Sequence, residues 1–188
     1  RIFSPSRLGG DKLVARAEPV EITEIAPEED RLERGSLLHL LLEHLPDSPP
    51  QDWPALAETL GAGPQVLAEA RAILSDPALA WIFAPGTLAE VPLSTPWNGD
   101  LLLGAADRLI VTPDVVTVVD FKSNASLPAG PDAIPEAYLR QLGAYALALE
   151  GIYPGRRIDT AILWTGGPQL MAVGADIVRE ALARATNP

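Results

Sequence analysis

Residues 101–123 read as a β-hairpin, and that hairpin narrows the folds open to the chain. Val115 to Val119 is β-branched at every position, and branched side chains favour a strand. Thr112-Pro113-Asp114 is a turn sequence, so 101–111 folds back as the partner of 115–123. Residues two apart on a strand share a face, so Asp120 and Lys122 point the same way. Pairing about the turn sets Asp107 opposite roughly residues 118–120, where its carboxylate can approach that of Asp120. Ionisable groups at the ends of apolar strands are costly unless paired or metal-bound. Two carboxylates and a lysine in this order can bind a divalent cation and cleave a phosphodiester. The plainer reading, a solvated strand end, stands beside it.

Composition bounds what surrounds the hairpin. The chain has 188 residues, 47% of them hydrophobic, enough for one domain with a sizeable core, or one domain with an appendage. No apolar run is long enough to span a membrane, and RIFSPSRLGGDKL lacks the apolar stretch of a signal peptide. The start at Arg1 is read as that of a piece cut from a longer protein. There is no cysteine, which removes thiolate zinc sites, iron–sulfur clusters and disulfides and suits a cytosolic setting. The only histidines are His39 and His44, so a metal would be held mainly by oxygen, as magnesium, manganese or calcium is. A net charge of −11 has the wrong sign for tight autonomous DNA binding. It leaves open catalysis on DNA delivered by another domain.

The pattern along the chain is α/β. Residues 1–27 read as loop, with a short strand possible at 20–25. A helix is expected at 31–45, with Leu32, Leu38, Leu41, Leu42 and Leu45 as its apolar stripe and Pro46 as its stop. Acidic residues at 28–30 suit its positive end. Short helices follow near 53–60, 64–74 and 77–83, then a strand at 88–95 and a turn at Trp97-Asn98-Gly99-Asp100. Beyond the hairpin and a loop at 124–134, Pro135 reads as the first residue of a helix that ends at Gly151. Strands at 158–165 and 169–173 and a helix at 174–185 complete a mixed sheet flanked by helices.

Other polar residues carry two readings each. His39 is a packed helical histidine or a metal ligand. Gly35, one turn earlier, costs about 1 kcal/mol relative to Ala in a helix, which implies close approach of another backbone. His44 fits a helix C-terminus. Gln141 and Tyr145 share a helix face with Tyr138 and Leu142, either as core or as a polar pair aimed into a cleft. Glu90 is a third carboxylate of the site or an exposed strand residue. The tryptophans are too dispersed for a base-stacking stripe.

In order, the chain carries R-G-x-x-x-H (Arg34, Gly35, His39), G-x-x-D-R-L (Gly104, Asp107, Arg108, Leu109), V-D-F-K-S (Val119 to Ser123) and Q-x-x-x-Y (Gln141, Tyr145). This set resembles the PD-(D/E)XK nuclease superfamily and, within it, the RecB-like nuclease domains. YLRQLGAYALALEGIYPGR and AILWT are most similar to the C-terminal nuclease domain of AddA-type helicase–nuclease subunits. The resemblance covers about residues 31–185, with SPSRLGG as a weaker upstream match. Residues 1–30 are then an extension or linker and 31–188 the nuclease domain, with a restriction-endonuclease-like fold and an N-terminal helical region.

The resemblance implies that His39, Asp107, Asp120 and the main-chain carbonyl of Phe121 bind Mg2+, or Mn2+ in its place. It implies that Lys122 positions or activates the attacking water, and that Gln141 and Tyr145 complete the site. Ala106 stands where relatives often have a larger residue before the Asp, which leaves the pattern intact. The implied function is a DNA exonuclease that processes ends in double-strand-break repair in the bacterial cytoplasm. Its implied partners are single-stranded DNA, fed by the helicase part of the same polypeptide, and an AddB-like subunit. Relatives of AddB type carry cysteines for an iron–sulfur cluster, which this chain lacks. A nuclease-fold module that binds DNA or a partner without cutting is the alternative.

Overall fold

The computed structural model describes residues 2–3, 28–123 and 127–185. The possible strand at 20–25 and the SPSRLGG stretch lie outside the described residues. Six strands form one mixed sheet: β1 (Ile2–Phe3), β2 (Leu88–Trp97), β3 (Asp100–Val111), β4 (Val115–Lys122), β5 (Arg157–Trp164) and β6 (Gln169–Val173). The helices are α1 (Glu28–His44), α2 (Trp53–Thr59), α3 (Pro64–Leu74), α4 (Glu136–Ile152) and α5 (Ala175–Ala183), with a 3-10 turn at Ala80–Phe83.

β3 is the axis of the sheet. It pairs antiparallel with β2 along Asp100–Leu109 and with β4 along Arg108–Val111. β1 adds a parallel step at Leu101 and Leu102. Asn98 and Gly99 have φ values of 49° and 81°, the two positive-φ positions of a tight two-residue turn between β2 and β3. β4 pairs parallel with β5, and the connection between them is α4, as a parallel crossover requires.

Sheet alternation distributes the core to two layers. Val116 and Val118 face α4 and α5, together with Leu109, Ile158, Ile162 and Trp164. Val119, Phe121, Ala161 and Leu163 face the layer of α1 and α3, packing with Leu38, Leu41, Leu42, Ile73 and Ile82. β4, buried on both faces, therefore reads as an apolar run rather than an alternating one.

Five expectations change in detail, the first being the short helix expected near 77–83, which is a 3-10 turn over Ala80–Phe83. The loop-like start contributes β1, whose two residues are too short to carry a periodic signal. Pro135 caps α4 in extended conformation (ψ 134°) instead of opening it, and the helix runs through Gly151 to Ile152 before the chain turns at Gly155 (φ 84°). Leu32 leaves the α1 stripe: it is 66% exposed, whereas Leu38, Leu41, Leu42 and Leu45 are buried. At Gly35 the close neighbour is a side chain rather than backbone, because a Cβ there would lie 2.6 Å from Ser123 Oγ.

Gly143 is the tighter contact. A Cβ on it would sit 2.4 Å from the Val178 carbonyl oxygen and 2.9 Å from Leu182 Cβ, so α4 and α5 cross on that glycine. Gly143→Ala should destabilise the fold by about 1–3 kcal/mol, the cost of overpacking. Gly151→Ala, where no atom lies within 4 Å, should stabilise by about 0.5–1 kcal/mol through helix propensity. Urea unfolding of the two variants should move the midpoint in opposite directions.

Candidate active site

The site forms where β3 and β4 stop pairing. Ala106 and Leu109 are three apart yet face the same layer, so side-chain alternation slips once between them. At the slip, neither Asp107 nor Glu90 across from it belongs to the β2–β3 ladder. Glu90 sits at φ 46°, a conformation costing on the order of 1–2 kcal/mol for a residue with a Cβ. On the other side, the β3–β4 ladder ends at Arg108–Val119. One step further sets Asp107 opposite Asp120, within the range expected from the turn. There the Asp107 side chain takes the place of a strand carbonyl, and Phe121 N–H donates to its Oδ2 at 2.6 Å.

Helix α1 reaches the same point. His39 Nδ1 lies 3.1 Å from Asp107 Oδ1, and its ring meets Phe121 edge-on with centroids 5.6 Å apart. Arg108 ties the helix down: its Nη2 donates to the Leu42 carbonyl at 2.5 Å, and its guanidinium lies 5.1 Å from the Phe83 ring centroid. Burial lowers the guanidinium below its ordinary value, and the negative charges of Asp47 and Glu43 oppose this only in part. The role of Arg108 was not read from the sequence, although a charge followed by Leu109, Ile110 and Val111 in a strand was a signal that it needed a partner.

On the α4 side, Asp120 is only 2% exposed. The Lys122 ammonium lies 2.6 Å from its Oδ2 and donates to Gln141 Oε1 at 3.0 Å. Gln141 Nε2 donates to Tyr145 OH at 2.8 Å, and Tyr145 donates to the Ala105 carbonyl at 2.6 Å. The Gln141–Tyr145 pair is thus a polar relay that ends on Lys122. Glu90 borders the cleft next to His39, Glu43, Phe121, Lys122 and Ser123, a space of about 500 Å³. His44 stays outside, 3.8 Å from Glu43.

The electrostatics follow from burial and crowding. Burial pushes the Asp120 carboxyl up; Lys122 pulls it back and Asp107 adds to the rise, leaving it above its ordinary value. Burial works to lower the His39 imidazole, but the Asp107 carboxylate outweighs it and the ring is held above 6.5. Glu90 is raised by burial and then by the charge of Asp107. The Tyr145 phenol is raised by burial and then by Asp120, so it remains a hydrogen-bond donor at neutral pH.

Residues 14–168 match the PD-(D/E)XK nuclease superfamily. The chain belongs to this superfamily. In fold it is similar to a protein from Eubacterium rectale provisionally named an exonuclease, with TM-score 0.54 and 13% identity over 87% of this chain. The match covers 65% of that protein's chain. The structure of SSO0001 aligns over 85% of each chain at 12% identity, with a TM-score of 0.36. No curated protein matches the chain. Among the described residues no helix is long and apolar enough to cross a membrane.

Members of this superfamily typically use divalent metal ions, and the donors here have the right chemistry: two carboxylates and one imidazole around a buried strand end. Among the described residues Asp120 Oδ2 is buried without an aligned hydrogen bond, and the Lys122 ammonium faces it as an ion pair. Among the described residues, no three His, Asp or Glu side chains are already gathered as a cage. Asp120 is balanced by Lys122, and Asp107 by His39 and the Phe121 N–H.

Metal ligands must be deprotonated, and Asp120 and His39 both hold their protons to higher pH than usual. Mn2+ at about 100 times its Kd should stabilise the chain by about 2.7 kcal/mol at pH 8. The shift should shrink toward pH 6 as the His39 imidazole takes up its proton. Thermal melts with and without Mn2+ at the two pH values test this. A shift equal at both, or one retained in Asp120→Asn, would remove these residues from the donor set.

Proposed function

We propose that this chain is a divalent-metal-dependent deoxyribonuclease domain that hydrolyses phosphodiester bonds of single-stranded DNA. The observation that carries the reading is the position of Lys122. Its ammonium touches a buried carboxylate on one side and an oriented amide on the other, at the edge of an open cleft. A surface lysine has no need of such support.

In this reading His39, Asp107, Asp120 and the Phe121 carbonyl hold Mg2+ or Mn2+. Such a cation supplies Lewis acidity and positive charge against the phosphate. The protein groups do the rest. Asp107 and Asp120 concentrate negative charge where β3 and β4 part, which repels DNA until that charge is neutralised. Lys122, a compact cation with three donors, orients the attacking water and meets the charge that develops on the phosphoryl oxygens. Gln141, held by Tyr145, presents its carbonyl to Lys122 and keeps the ammonium aimed at the cleft.

The finer assignment is the C-terminal nuclease of an AddA-type helicase–nuclease, working with an AddB-like subunit on DNA ends in recombinational repair in the bacterial cytoplasm. The motif order and the YLRQLGAYALALEGIYPGR stretch support it. So does the net charge of −11: a domain fed by its own motor needs little affinity for DNA. A non-catalytic module is the competing reading, favoured by the ungathered donor set.

Incubation with single-stranded DNA and Mg2+ should give cleavage that EDTA abolishes. Lys122→Ala should reduce it by about 10²–10³, the loss typical when one charge-stabilising donor is removed, while the far-UV spectrum is unchanged. Mg2+-independent cleavage, or full activity in Lys122→Ala, would refute the assignment. Mn2+ binding by calorimetry without cleavage would favour the non-catalytic module.

A further inference from the structure

Asp120 and Gln141 account for two contacts of the Lys122 ammonium, and an aromatic platform supplies a third. The Nζ atom lies 4.6 Å from the centroid of the Tyr138 ring. That ring leans on Trp164, with centroids 6.2 Å apart and planes at 53°. Trp164 is 1% exposed and pairs in register with Lys122 across β4 and β5, so the two side chains leave the same face of the sheet. Trp164 is therefore a fixed floor, Tyr138 rests on it, and Lys122 rests on Tyr138. Tyr138 also stands three residues before Gln141 on α4, so a single helix face presents both the ring and the amide to the lysine.

We infer that Tyr138 is a positioning residue for Lys122, acting through the face of its ring. The inference rests on the nuclease reading for its consequence but not for its geometry. An ammonium has three N–H donors. The Asp120 contact and the Gln141 hydrogen bond engage two of its neighbours, and the Tyr138 ring is a third. The remaining direction opens on the cleft that Lys122 lines, where an attacking water or a phosphoryl oxygen would lie. Without the ring, the four-carbon stem is free to swing its charge around Asp120, and the ammonium loses its aim while keeping its counter-ion. The ring face, not the hydroxyl, supplies this contact, so phenylalanine should substitute for tyrosine and an aliphatic residue should not.

The chain contains only two lysines, Lys12 and Lys122, which permits a direct test. Lys12→Arg leaves Lys122 as the only lysine, and its ε-methylene signal can be read in protein labelled with 13C-lysine. The signal should be displaced upfield by the ring, remain so in Tyr138→Phe, and return toward the position of free lysine in Tyr138→Leu. Tyr138→Met, a longer aliphatic replacement, gives the same readout if the leucine variant fails to fold. In single-stranded DNA cleavage, Tyr138→Leu should lower kcat about tenfold with KM within about twofold, and Tyr138→Phe should recover most of that loss. A lysine signal that does not move in Tyr138→Leu or Tyr138→Met, or a loss of kcat that Tyr138→Phe does not recover, would overturn the inference. Absence of cleavage in the unmutated chain would count against the nuclease reading alone, since the lysine signal tests the contact without turnover.

Discussion

The junction where β3 and β4 part depends on one hydrogen bond, from the Phe121 N–H to the Asp107 carboxylate. A strand end inside a protein leaves backbone donors that must be satisfied. Here the donor is met by a side chain, so the two strands diverge without an orphaned amide. The same carboxylate meets His39 from α1, joining the helical layer to the sheet at this point. Fold and site thus share one interaction: the point where β3 and β4 part also brings Asp107 and Asp120 beside the cleft lined by His39, Phe121 and Lys122.

Around that junction the protein balances buried charge with groups from every layer. Asp120 faces Lys122 on its own strand; Lys122 faces Gln141 and Tyr138 from α4; Tyr145 anchors the relay on the β3 backbone. Arg108 points the other way and clasps α1 at Leu42. A carboxylate without compensation would protonate in such surroundings. Asp120 and His39 both sit above their ordinary values: burial raises Asp120, whereas at His39 burial lowers the imidazole and the Asp107 carboxylate outweighs it. The strain at Glu90, directly across β3, belongs to the same economy of the slipped strand.

The surface fits this picture. Arg34, Arg157, Arg179 and Arg184 each pair with a neighbouring carboxylate at the surface, contacts that are weak where they are solvated. With an excess of acidic residues, the domain has more means to hold a cation than to grip a polyanion.

Most of the architecture was legible in the sequence because its signals are local. The β-branched run of Val115–Val119, the Asn98-Gly99 and Thr112-Pro113-Asp114 turns and the leucine spacing of α1 each act over a few residues. They fixed element type and the facing of Asp120 and Lys122. The ordered motifs also marked the superfamily. What the sequence could not settle were the contacts that give those residues a purpose. His39 touches Asp107 from 68 residues away and Tyr145 touches Ala105 from 40. Arg108 finds the Leu42 carbonyl, and Tyr138 comes under Lys122, only once the helical layers close on the sheet. The two-residue β1 and the slip at Asp107 leave no periodic trace at all. Local propensity and alternation are properties of neighbours in the chain, so the sequence by itself determined the strands, helices and candidate chemical groups. Which group faces which, and how deeply each is buried, depends on packing between distant segments, and only the tertiary structure decided it.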